Sequence, residues 1–133
     1  MALKIRLKPK EKMVVNGAVL AAGDQSVVLY FLNNARILLE KDILTENRVI
    51  GPESTLYYLV QLMYIDPESQ PRYADFLPGV LEELLEKYPK YSEDLDKLVQ
   101  MLVGGEHYKA LRLCKALFDI QNRTHEEEAI SGE

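Results

Sequence analysis

The chain has 133 residues, 47% hydrophobic and 28% charged, with a formal net charge of −5. That length and balance describe one domain, or two small lobes sharing a core, and exclude a wholly disordered chain. The single cysteine, Cys114, excludes an internal disulfide and fits a reducing compartment.

Residues 1–20 lack an apolar core with a small-residue cleavage site, so no signal peptide is read there. The longest apolar run, Leu56–Ile65, is broken by Gln61 and is too short to span a bilayer. A soluble cytoplasmic protein with no membrane contact is expected. The charge is unevenly spread. Residues 1–50 hold eight Lys and Arg against five Asp and Glu, whereas residues 51–133 hold eight against sixteen.

In chain order, Leu3-Lys4-Ile5-Arg6-Leu7-Lys8 alternates apolar and basic with period two, the pattern of a half-buried strand. Pro9 ends it. Two apolar runs, Lys12–Val15 and Ala18–Ala21, flank Asn16-Gly17, a strong hairpin signal because a type I′ turn needs positive φ at both central residues. Gly23-Asp24 makes a second turn. Ser26–Leu32 suits a central strand, and Ala35–Glu40 a further one. The expected fold class is α+β. An N-terminal antiparallel β meander, closing as a small barrel or sandwich, precedes a C-terminal region of four to five helices.

After the breakers of Thr45–Pro52 the period changes. Glu53–Ile65 is apolar on nearly every side, as in a helix that is buried or lies in an interface. Tyr73, Phe76, Leu77, Val80, Leu81, Leu84, Leu85 and Tyr88 form one helical stripe, interrupted by Pro78-Gly79. Either the helix kinks there or a new one starts with Pro78 in its first turn. Ser92 is placed to cap the next helix, which Gly104-Gly105 ends. A last helix from Glu106 to about Ile120 is expected to bury Tyr108, Leu111, Cys114, Leu117 and Phe118. The expected division is a basic β-rich lobe over 1–50, an acidic helical lobe over 51–121 and a disordered tail over 122–133.

No catalytic constellation emerges. His107 and His125 stand apart from other metal-type residues, and there is no CxxC, HxxxH or phosphate loop, so neither metal nor cofactor is expected. Cys114 falls on an apolar stripe and reads as a buried thiol. Glu82, Glu83 and Glu86 read as a solvated helix face. The chain is read as a non-enzyme. Tyr57, Tyr58 and Tyr64 are candidates for a partner or oligomer interface, because adjacent helical residues diverge by about 100° and cannot all face one core.

The basic residues at the N-terminus carry the other candidate site. Residues 4, 6 and 8 of one strand share a face at steps of about 7 Å. Lys4, Arg6, Lys8, Lys10 and Lys12, joined by Lys41 if the later strand packs beside the first, would form a rail for RNA phosphates. The same lysines on an edge strand would also keep it from pairing with another chain.

The stretch Leu7-Lys8-Pro9-Lys10-Glu11-Lys12-Met13-Val14-Val15-Asn16-Gly17-Ala18-Val19-Leu20 resembles the opening of the FlbT family of flagellin-synthesis regulators. Lys41-Asp42-Ile43-Leu44 and the Tyr-rich segment Thr55–Asp66, followed by Pro67, are also similar to that family, over about residues 3–120. Lys10 departs from it, since the family usually has glycine there. The resemblance implies a bacterial cytoplasmic, non-enzymatic regulator. Such a protein associates with the 5′ untranslated leader of flagellin messenger RNA and alters its translation and stability, repressing in some bacteria and activating in others. It implies FlaF as a small partner. A protein-binding module that contacts flagellin or FlaF, and acts on messenger RNA only indirectly, is the alternative. A homo-oligomer is expected, because one small β-lobe offers little area for RNA alone and the helix over 53–65 has more apolar surface than one stripe requires.

Overall fold

The computed structural model describes residues 2–120. The tail read over 122–133 lies outside the described residues. The chain divides into two compact units, one ending at Ile43 and the other starting at Leu44.

The N-terminal unit holds five strands: β1 (Leu3–Leu7), β2 (Lys12–Val15), β3 (Ala18–Ala21), β4 (Val27–Phe31) and β5 (Ile37–Leu39). All pairings are antiparallel, as expected, but they do not follow chain order. β1 pairs with β4, and β2 lies between β3 and β5, so the strands form two sheets and no closed barrel.

Two turns explain the split. At Asn16-Gly17 both φ values are positive, 51° and 87°, so the turn twists with its strands and β2 continues directly into β3. Between β1 and β2 the Glu11 N–H donates to the Lys8 carbonyl at 3.0 Å, with Lys10 at φ 67°. Proline followed by a left-handed residue makes a type II turn, which splays the strands it joins. β1 therefore leaves β2 and finds β4.

The two sheets share one core. Leu7, Met13 and Ala22 are buried at its centre, packed by Ile5, Val15, Leu29, Phe31, Ile37 and Leu39. Of the two forms expected, this is the sandwich. Leu3 shares the side of β1 that carries Ile5 and Leu7 but is 51% exposed, because it is the first residue of the strand. Asn16 has a second role beyond its turn. Its backbone N–H donates to the Arg36 carbonyl, and its Oδ1 accepts the Arg36 N–H, both at 2.8 Å, which fixes the entry to β5.

The C-terminal unit is helical: α1 (Pro52–Ile65), α2 (Gln70–Ala74), α3 (Leu77–Lys87), α4 (Ser92–Val103) and α5 (His107–Phe118). α1 packs against α2, α3 and α5. That enclosure accounts for its apolar residues on every side. The unit starts at Leu44 and not at residue 51 because α1 binds that strand of chain. Gln61, buried on α1, accepts the Leu44 N–H at 2.7 Å and donates to the Leu44 carbonyl at 2.9 Å.

Pro78 lies in the first turn of α3, so a new helix starts there. Ser92 does not cap α4. A 3-10 turn over Pro89–Tyr91 precedes it, the cap position falls on Tyr91, and no side chain caps the helix. Gly105, at φ 80°, ends α4, and the Glu106 N–H returns to the Met101 carbonyl at 2.8 Å. Leu111 and Cys114 are buried as expected, but Tyr108 is 40% exposed, its ring 5.6 Å from that of Tyr64.

Candidate nucleic-acid interface

Strand alternation sorts β1 into two faces. Ile5 and Leu7 join the shared core, so Lys4 and Arg6 face away from it. On β4 the same rule turns Leu29 and Phe31 inward and Val28 and Tyr30 outward. The ladder register sets Lys4 opposite Tyr30 and Arg6 opposite Val28. Tyr30 is 60% exposed. The outer face of this two-stranded ribbon therefore carries two cations and an open aromatic ring. Period-two alternation places the cations there. The ring's position depends on the β1–β4 register, to which the local sequence gives no clue.

Of the remaining cations only Lys8 continues this row. Lys8 is exposed just past the end of β1, where its backbone N–H donates to Glu11 Oε1 at 2.8 Å. Lys10 sits in the left-handed turn, and its Nζ lies 2.6 Å from Asp24 Oδ1. Lys12 opens β2 in the other sheet, on the side away from Met13 and the core. Lys41 is exposed in a 3-10 turn after β5, a strand that pairs with β2 and not with β1. The five-residue rail read from the sequence is thus divided, and Lys4, Arg6 and Lys8 are the contiguous part. Among the described residues these three enter no ion pair.

The tyrosine candidates lie on α1. Tyr57 is 1% exposed, inside the core of its own unit, so it offers no surface to a partner. Tyr58 is half-buried, and burial, then Glu46 and Tyr73, push its phenol pKa up. Tyr64 is half-buried against Tyr108. α2, α3 and α5 pack against α1, so its apolar residues have partners within its own unit.

The helical unit also has a cleft of about 570 Å³, lined in part by Arg48, Glu53, Ser54, Tyr88, Phe118 and Asp119. Its polar groups already serve the fold. Glu53 accepts from Lys87 and from the Tyr88 hydroxyl, joining the start of α1 to the end of α3. Burial alone would raise the Glu53 carboxyl. The bonds from Lys87, Tyr88 and its own backbone outweigh that and hold it below the usual carboxylate value. The rings of Tyr88, Tyr91 and Phe118 pack on one another in tilted and edge-on pairs, with centroids 5.3–5.6 Å apart. Cys114 is fully buried, and desolvation pushes its thiol up to about 12, which makes it an unreactive core residue. Among the described residues no group of side chains could hold a metal ion, and no helix is long and apolar enough to cross a membrane.

The chain is a small two-unit α+β protein that carries two exposed cations and an exposed tyrosine on the outer face of its β1–β4 ribbon. The chain belongs to the FlbT family: the family model described as "Flagellar protein FlbT" matches residues 3–125. It is 34% identical over 124 residues to "Flagellum biosynthesis repressor protein FlbT" of Caulobacter vibrioides (strain ATCC 19089), covering 92% of this chain and 88% of that one. It is 35% identical over 125 residues to "Probable flagellum biosynthesis repressor protein FlbT" of Caulobacter sp. (strain K31), covering 92% and 95%. A protein of the same name from Rhodopseudomonas palustris (strain TIE-1) is 34% identical over 131 residues, covering 98% and 99%. No solved structure matches the chain.

Proposed function

We propose that this chain is a cytoplasmic regulator that represses flagellin synthesis by binding the 5′ untranslated leader of flagellin messenger RNA through its N-terminal unit. The relatives' names supply the process and its sign. The observation that supports direct RNA contact is the exposed pair Lys4 and Arg6 on one face of β1, unpaired among the described residues, in a chain of net charge −5. An acidic protein that leaves adjacent cations uncompensated has a local surface suited to a polyanion.

A second reading, a protein-binding module for flagellin or FlaF, draws support from Phe76, which is 60% exposed on the helical unit. Self-association fits either reading. All four residues of β3 are exposed and uncharged, and β3 is an edge strand of its sheet.

A gel shift with purified protein and a flagellin leader RNA, beside a pull-down with flagellin and FlaF, tests the proposal. A shift by the protein alone is expected. A shift that occurs only when flagellin or FlaF is added would replace direct binding with the second reading.

A further inference from the structure

We infer that the outer face of the β1–β4 ribbon is a stacking platform for single-stranded RNA, with Tyr30 holding a base while Lys4 and Arg6 hold the flanking phosphates. This rests on the direct-binding reading above and adds which form of RNA the site takes.

The first ground is register. Lys4 and Tyr30 are cross-strand partners, and Arg6 follows two residues along the same face. Directly opposite residues in an antiparallel pair have their Cβ atoms about 5 Å apart, and same-face neighbours on a strand are about 7 Å apart. Base and adjacent phosphates of one extended nucleotide fall within that reach.

The second ground is the exposure of the ring. A tyrosine facing outward from a strand normally lies across its neighbours, yet Tyr30 is 60% exposed and has no ring or cation partner among the described residues. Leu32, immediately after β4, is 77% exposed and extends the apolar strip. Cations alone would fit any polyanion. An open aromatic ring beside them, across the ladder from Lys4, favours one whose bases are unstacked and free to leave the helix.

The third ground is shape. The ribbon is two strands wide, and among its described residues the N-terminal unit holds no α-helix to lay against a groove of duplex RNA. A strand face that carries one open ring suits a splayed strand.

The test uses the full chain and two labelled probes, a 12-nucleotide mixed-sequence RNA and the same RNA annealed to its complement, read by fluorescence anisotropy. The single strand is expected to bind at least tenfold more tightly than the duplex. Tyr30→Leu should weaken single-strand binding about tenfold. Tyr30→Phe, which keeps the ring, should bind as the parent does, and its folding checks the position. The Tyr30→Leu change removes no charge, so the salt dependence of binding should stay the same. Equal affinity for duplex and single strand, or a Tyr30→Leu protein that binds as the parent does, would overturn the platform and leave direct RNA binding standing. Failure of the parent protein to bind either probe would overturn both.

Discussion

Lys4 and Tyr30 face each other across the β1–β4 ladder, on the side turned away from the core. Twenty-five residues separate them in the chain. A cation and an exposed ring are thereby placed together by a pairing that no local pattern specifies. The turn at Pro9-Lys10 makes this possible, because it diverts β1 from the strand that follows it.

That turn yields the first prediction. Lys10 holds φ 67°, a conformation that costs a residue with a Cβ about 1–2 kcal/mol. Glycine adopts it freely but gives up more freedom on folding, roughly 0.5–1 kcal/mol. The Lys10–Asp24 pair is exposed and contributes little. Lys10→Gly should therefore stabilise the protein by about 0.5–1 kcal/mol in urea unfolding. Lys10→Ala, which keeps the strain, should not. A Lys10→Gly protein less stable than the parent would show that the ion pair outweighs the backbone term.

The Gln61–Leu44 contact yields the second. Gln61 is 3% exposed and satisfies both backbone groups of Leu44. Gln61→Leu removes both partners at once and leaves a buried N–H and C=O unpaired. The expected loss is roughly 1–3 kcal/mol, seen as a lower urea midpoint. Unchanged stability would mean that the Leu44 backbone finds other partners.

Glu53 gives a pH dependence. Its carboxyl is held below the usual value because Lys87, Tyr88 and its own backbone outweigh burial. A lowered folded-state pKa means the charged form binds protons less readily when folded. The stability it adds is therefore present above the unfolded value, near ~4.3, and is lost as pH falls through the folded value. Glu53→Gln should be less stable than the parent at neutral pH, with the gap closing below about pH 4. A gap that widens on acidification would reverse the sign of this coupling.

Local chemistry was legible in the sequence. Asn16-Gly17 demanded its turn, alternation placed Lys4 and Arg6 outward, and the stripe on α5 buried Leu111 and Cys114. What depends on distant partners was not. The apolar surplus of α1 left burial and an interface both open, because the three helices that pack on it lie later in the chain. Lys12 and Lys41 read as part of the rail because sequence spacing carries no information on which sheet a strand joins. The exposure of Tyr30 was not legible because the run Ser26–Leu32 suits a central strand covered on both faces, whereas Tyr30 on β4 is 60% exposed.

Salt-dependent binding to a single-stranded leader RNA probes the β1 cations most directly. With Lys4, Arg6 and Lys8 each neutralising one phosphate, log affinity should fall with log salt at a slope of about −2, taking ~0.7 per phosphate. Lys4→Gln with Arg6→Gln should flatten it to about −0.7 while the fold persists, since both side chains are exposed. A parent-like slope in that double variant would contradict phosphate binding by β1.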